Sequence, residues 1–298
     1  MNRKTLQSSL LLFLAAFIWG VAFVAQSVGM DYMGPFSFNG ARFLMGSLVL
    51  IPLVLYRRKF LKGEERRFGS RKVTLSGGVC CGLALCSAAL FQQLGILYTT
   101  VGKAGFITTL YIIIVPIMGI FLKKKIPGKV WLAAVVAMIG MYLLCMSEGI
   151  RLSKGDRFVF ICAILFSIHI LVIDYFSPRA DGVELSCLQF FTAGVICSVL
   201  AVIFEKPAIS NFVDGIIPLS YAGIMSSGVA YTLQIVGQKD LDPTVASLIL
   251  SMESVMSMLA GWVILGQAMS GRELFGCALV FGAVILVQLP DKKRIKER

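Results

Sequence analysis

Ten apolar stretches of roughly 17–25 residues, the length a helix needs to cross a bilayer core, recur along this chain with mostly short connections. They run near residues 8–28, 36–55, 74–96, 104–122, 130–146, 158–175, 184–204, 215–236, 245–265 and 273–290. Nothing else in the sequence constrains the fold as strongly. In hydrocarbon each backbone N–H and C=O must find its partner inside the protein, so separate spans of this length are helices. The chain therefore reads as an all-α integral membrane protein with ten transmembrane helices. Only 15% of its 298 residues are charged and 57% are hydrophobic, whereas soluble chains carry about a quarter charged residues. Arg3 and Lys4 precede a first stretch too long for the core of a cleaved signal, which marks it as an uncleaved first helix.

Basic residues set the orientation. With the N-terminus in the cytoplasm, 21 of the 28 Lys and Arg fall in inside segments, 6 fall outside and Arg42 lies within the second span. Positive charge collects on the cytoplasmic side. This distribution predicts both termini in the cytoplasm, an even number of spans and residence in a cell (plasma or inner) membrane. The net charge of +12 then faces acidic lipid headgroups at the cytoplasmic surface, not nucleic acid. The loop Arg57–Lys72 and the basic tail 291–298 are the main anchors.

Several chemistries are excluded by what is missing. The eight cysteines all lie in apolar stretches, with no CxxC pair, and read as small packing residues. One histidine, His169, rules out His-rich metal sites and HExxH. No GxxxxGK[ST] loop is present to cradle ATP. The sequence calls for no metal, cofactor or catalytic residue.

The two halves resemble one another. Gly102–Ile107 lines up with Thr244–Ile249, and at the same offset Tyr111 meets Glu253, Gly119 meets Gly261 and Gly140 meets Gly282. Ala41–Phe43 lines up with Leu188–Phe190 at a slightly larger offset. Each half, 8–146 and 158–290, holds five spans, and an odd number means the second enters the membrane upside down. The loops agree: Arg57–Lys72 corresponds to Glu205–Asp214, with only Lys206, and Lys123–Lys125 corresponds to the uncharged Gly266–Gly271. Inverted repeats characterise secondary transporters, whose substrate site lies near the midplane between the repeats.

At this point the chain resembles the EamA family of the drug/metabolite transporter superfamily. The residues that carry the likeness are Phe17–Phe23 in the first span, Gly40–Phe43 in the second, and Ala104–Tyr111 followed by Pro116 in the fourth. Ala246–Glu253 and Leu265–Gln267 carry it in the ninth. The resemblance implies gradient-driven movement of small metabolites, commonly amino acids or related compounds, through a central cavity, with the fifth and tenth spans peripheral. Those two spans offer the small-residue steps Ala133/Ala137 and Ala278/Gly282, which permit close helix contact within the bundle or across a homodimer. The chain departs from the family pattern at Ser254, where proline often follows the glutamate, and at Gln267, where an acid often ends the span. The first departure argues against a helix break there.

Glu253 is the leading site residue. A carboxyl in the middle of a span faces a cavity or a partner, and its helical face, with Ala246, Leu250, Ser257 and Gly261, is small and partly polar. It is suited to bind a substrate amine or carry a proton, and structural burial against neighbouring helices is its bland alternative. Tyr111 is its equivalent in the first half. His169 is a second proton-coupling candidate, balanced against a satisfied core histidine. Trp19, Phe23 and Gln26 share one face of the first span. Gln92 and Gln93 lie in the third span, and Tyr231 and Gln234 share a face in the eighth. Aromatic walls with a few orienting polar groups are the usual make-up of a small-molecule site. Arg42 stands about 9 Å deep at 1.5 Å per residue, and its side chain is expected to reach back to the outer surface, the alternative being an anion-attracting charge at the outer mouth. Asp174 is expected at the cytoplasmic end of the sixth span, as a gate charge or a solvated one. Pro116 should kink the fourth span.

The expected function is export of a small metabolite such as an amino acid or other amine-bearing compound. An uptake permease or uniporter is the alternative, and a membrane-embedded enzyme or a non-transporting scaffold is remote, because the acids are scattered and form no catalytic cluster.

Overall fold

A computed structural model describes residues 3–60, 71–99, 101–124, 126–145, 153–265 and 270–289. Most of the basic loop after the second span, the tail 291–298 and Gln267 lie outside the described residues.

Helices cover all ten apolar stretches, and there is no strand among the described residues. In chain order they are α1 (Arg3–Gly29), α2 (Pro35–Phe60), α3 (Arg71–Ile96), α4 (Val101–Thr108), α5 (Tyr111–Phe121), α6 (Gly128–Cys145), α7 (Lys154–Phe176) and α8 (Gly182–Phe204). Two short helices, α9 (Ile209–Asp214) and α10 (Ile216–Ser220), lead into a π-helical stretch, Tyr221–Tyr231, which continues as α11 (Thr232–Gln238). The chain ends in α12 (Pro243–Leu250), α13 (Met252–Leu265) and α14 (Gly271–Gln288). Eight segments among the described residues are long and apolar enough to cross a membrane. Gly128–Leu143 is apolar but shorter, and α14 is not one of the eight.

Helix starts follow local chemistry. Ser153 and Asp156 form a reciprocal capping box at α7, with Ser153 N–H donating to Asp156 Oδ2 (2.7 Å) and Asp156 N–H to Ser153 Oγ (3.0 Å). Asp181 accepts from Val183 N–H and Glu184 N–H to start α8, and the same carboxylate takes Arg57 Nη2 at 2.8 Å from the end of α2. At the opposite end of this helix pair, Glu205 reaches from the end of α8 to the start of α2. It accepts from Phe36 N–H (2.8 Å), Ser37 N–H (2.7 Å) and Ser37 Oγ (2.5 Å). Lys124 and Asp174 form a third cross-half pair at 2.6 Å, so the Asp174 charge is matched rather than merely solvated.

Packing joins the two halves throughout. Helix α2 lies on α8, α3 on α7 and α8, α1 on α13 and on the π-helical stretch with α11, α4 and α5 on α7, and α6 on α14. Glycines permit the closest approaches. At Gly20 an added Cβ would sit 2.3 Å from Met256 Cβ and 2.7 Å from backbone atoms of Met256 and Ser257. Ala133 and Ala137 of α6 are fully buried, and Gly140 of α6 lies against Gly276 of α14. Of the expected Ala278/Gly282 step, Ala278 is exposed and a Cβ at Gly282 would meet nothing within 4 Å; that face of α14 is turned away from α6.

Polarity is inside out relative to a soluble protein. Leu48, Val199 and Phe204 are exposed, while Asn39, Arg42, Gln93, His169 and Gln189 are almost fully buried. An apolar exterior of this kind belongs in lipid.

Candidate functional site

The fourth and ninth apolar stretches each tighten by a turn once, at equivalent places, while staying helical. Helix α4 stops at Thr108 and α5 begins at Tyr111; α12 stops at Leu250 and α13 begins at Met252. Thr109 and Ser251 are related by the same 142-residue separation as Tyr111 and Glu253. Hydroxyl groups account for the interruptions. Thr109 Oγ1 donates to Gly105 O (3.1 Å) and Phe106 O (2.9 Å). Ser247, Ser251, Ser254 and Ser257 each donate to the carbonyl three residues back, at 2.7–2.9 Å. Such side chains compete with the helical ladder and bend it, and the turns there tighten, with Ile112 N–H on Thr109 O and Ser254 N–H on Ser251 O. Ser251 keeps helical angles (φ −61°, ψ −13°) and its N–H still reaches Ser247 O, so without a proline after the glutamate this is a tightened turn and not a break. In the first half it lies at Thr109–Leu110, upstream of Pro116, which sits inside a continuous α5.

Each interruption delivers one side chain to the centre. Tyr111 Oη donates to Glu253 Oε1 at 3.0 Å, so the two equivalent positions meet each other. Both are buried. The cavity around them is lined by Trp19, Phe23, Gln26, Arg42, Gln92, Thr108, Tyr111, Phe166, Ile170, Ser226, Tyr231, Gln234, Leu250 and Glu253, drawn from both halves. The volume open to the centre of a water molecule is about 30 Å³. That admits a water or two.

The walls are aromatic. Trp19 and Tyr231 rings pack at 4.5 Å, and Trp19 Nε1 donates to Ser226 O at 3.3 Å within the π-helical stretch. Wide turns of this type recur at functional sites. The polar lining is sparse. Gln92 Nε2 reaches Thr108 Oγ1 at 3.4 Å and Gln234 Nε2 reaches Gln238 Oε1 at 3.5 Å. Three buried lining atoms have no hydrogen-bond partner: Gln26 Oε1, Arg42 Nη2 and Gln234 Oε1. Unpaired buried polar groups cost free energy, and the three residues that carry these line one space.

Of the residues expected from sequence, Trp19, Phe23, Gln92, Tyr111, Tyr231, Gln234 and Glu253 all line the cavity, but His169 does not. Its ring stands edge-on to Tyr231 at 6.0 Å between centroids, with Nε2 3.1 Å from Gln189 Oε1, one layer behind the wall. Arg42 overturns its expectation. It does not reach the outer surface; it is 1% exposed, with Nε donating to Asn39 Oδ1 at 2.8 Å and Cζ 4.6 Å from the Phe43 ring centroid. The signal that would have placed it is Asn39 one turn earlier, a ready acceptor on the same helical face. Phe166, Ile170 and Ser226 were not distinguishable in sequence from packing residues.

Removing the bond between the two broken helices has a calculable effect. Tyr111→Phe should lower stability by about 1–2 kcal/mol, because a buried carboxyl loses its donor. Thermal unfolding of detergent-purified protein measures this, and an unchanged transition would show that water replaces the phenol.

The sequence profile of the EamA-like transporter family matches the chain twice, over residues 6–146 and 153–289. An uncharacterized transporter of Archaeoglobus fulgidus is 30% identical over 96% of this chain and 87% of its own. An uncharacterized transporter of Clostridium kluyveri is 23% identical over 91% and 88%, and the Arabidopsis thaliana WAT1-related protein At3g02690, chloroplastic, is 22% identical over 92% and 68%. A crystal structure superposes with a TM-score of 0.75 at 20% identity, covering 94% of this chain and 96% of that one, which establishes the likeness of fold. With two family matches spanning nearly its whole length and a relative of the same type at 30% identity, the chain belongs to the EamA-like transporter family.

Proposed function

We propose that the chain is a gradient-driven transporter that exports a small amine-bearing metabolite, such as an amino acid or a related compound, through the cavity between its halves. The observation that carries this reading is the meeting of Tyr111 and Glu253 in a cavity that both halves line. A carboxylate there suits an amine, and the aromatic walls suit a compact organic body. The chain works with ten spans arranged as two inverted five-helix repeats, residues 8–146 and 158–290. Its termini are cytoplasmic and its home is a cell membrane. The exchange symmetry of the packing supports the repeats: swapping the halves turns α3 on α7 into the eighth stretch on α1, and turns α1 on α13 into α7 on α4 and α5. The basic loop and tail hold the cytoplasmic face to acidic lipid. Substrate binds Glu253, Tyr111, Gln92, Trp19, Phe23, Tyr231 and Gln234, with Glu253 as the proton-coupling group and His169 as a positioning residue behind Tyr231.

The test compares metabolites in the medium of cells over-producing the wild type, Glu253→Gln or neither. A small set of compounds should accumulate outside with the wild type and fall at least tenfold with Glu253→Gln at equal membrane expression. Equal export by both proteins would make Glu253 structural. Depletion of those compounds from the medium would reverse the direction and favour uptake.

A further inference from the structure

Arg42 is a cation without an anion. It is 1% exposed, and among the described residues no carboxylate lies within the 4.0 Å of an ion pair. Arginine keeps its charge in proteins, and an uncompensated buried charge is among the costliest features a fold can carry. The guanidinium is nevertheless held firmly. Asn39 accepts from Nε at 2.8 Å and is itself fixed by donating from Nδ2 to Ala89 O at 3.2 Å. The Phe43 ring lies 4.6 Å from Cζ and the Phe38 ring 5.9 Å. One edge and one face are thus occupied, while Nη2 has no partner and Arg42 lines the cavity. Glu253 lines the same cavity, paired with Tyr111 instead of Arg42.

We propose that Arg42 is a carboxylate-binding subsite of this cavity, so that the substrate is a zwitterion whose carboxylate meets Arg42 while its ammonium group meets Glu253. The inference rests on the reading of this cavity as the translocation site. Charge balance selects the ligand class. One fixed cation without a counter-ion matches a single carboxylate, whereas a phosphate dianion would need a second cation that the lining does not supply. The ammonium has three donors, and besides Glu253 the free Gln26 Oε1 and Gln234 Oε1 are acceptors in the same space. The remaining walls, Trp19, Phe23, Phe166, Ile170 and Leu250, suit an apolar side chain.

The experiment measures binding by thermal shift of the purified full-length protein. Its probes are L-leucine and L-phenylalanine, their amides, their deaminated acids, and inorganic phosphate. The wild type should bind the amino acids at least tenfold more tightly than the amides, and phosphate should give no shift. Arg42→Gln should erase the preference for acid over amide, and Arg42→Lys should restore part of it. Amides binding the wild type as well as the amino acids overturns the subsite, as does phosphate binding more tightly, no binding by any carboxylate, or a preference that survives Arg42→Gln. The wild-type series decides the matter even where a variant does not fold. Proteoliposome flux separates this result from the broader reading: carboxylate binding through Arg42 without flux leaves the subsite standing and removes transport, while flux of amides equal to that of acids does the reverse.

Discussion

Gly20→Ala should yield little folded protein in the membrane. The added Cβ would lie 2.3 Å from Met256 Cβ and 2.7 Å from backbone atoms of Met256 and Ser257. Backbone cannot swing aside as a side-chain tip can, so α1 must move off α13. Overpacking of a well-filled contact costs about 1–3 kcal/mol, and more where the obstacle is rigid; we expect the upper end, about 3 kcal/mol or beyond. The displacement also carries Trp19 and Phe23 away from Glu253, because they flank Gly20 on α1 while Glu253 lies one turn before Met256–Ser257. Gly282→Ala is the matched control. Its Cβ would meet nothing within 4 Å, and the helix propensity of alanine should raise stability by up to about 1 kcal/mol. Detergent-extracted yield and melting temperature of the two variants measure the contrast. Wild-type yield and melting from Gly20→Ala would mean the α1–α13 contact is looser than described.

Glu205→Ala should lower the melting temperature by roughly 5 °C or more. The carboxylate caps the start of α2 from the far end of α8, taking two backbone N–H groups and the Ser37 hydroxyl. Removing a helix cap costs about 1–2 kcal/mol, and hydrogen bonds to a charged group are worth about 1.5–3 kcal/mol each. Glu205 is partly exposed, so water recovers a share, and about 3 kcal/mol is the expected net loss. Glu205→Gln should be milder, since one amide oxygen still accepts. The same melting experiment checks both, and equal losses from the two variants would show that charge, not acceptor geometry, is what α2 requires.

Much of the architecture was legible in the sequence because hydrocarbon imposes so narrow a rule. The stretch 158–175 became Lys154–Phe176 and 184–204 became Gly182–Phe204, with boundaries displaced only by polar caps that a hydropathy pattern cannot see. The pairing of Tyr111 with Glu253 was visible as an alignment of the halves before it was visible as a hydrogen bond. Two features were not legible. Arg42 was assigned to the surface because a long side chain at shallow depth can point either way, and only its tertiary partners, Asn39 and Phe43, decide which. The tightened turn at Ser251 was not foreseen because proline was taken as the only source of irregularity there. Four hydroxyls at three- and four-residue spacing do the same work through carbonyl competition, a pattern that looks in sequence like ordinary small packing residues.

A rod with one pinched turn moves differently from a uniform one. At Thr109–Leu110 and at Ser251 the backbone ladder shifts locally from four-residue to three-residue bonds, so tilting one half of either rod exchanges bonds more readily there than elsewhere. The Tyr111–Glu253 bond ties one joint to the other, and a load on either is felt by both. On the proposed reading, a solute that takes the Glu253 oxygen competes with the phenol for it and slackens that tie. A ligand of a dozen atoms would thereby gain leverage over helices many times its size.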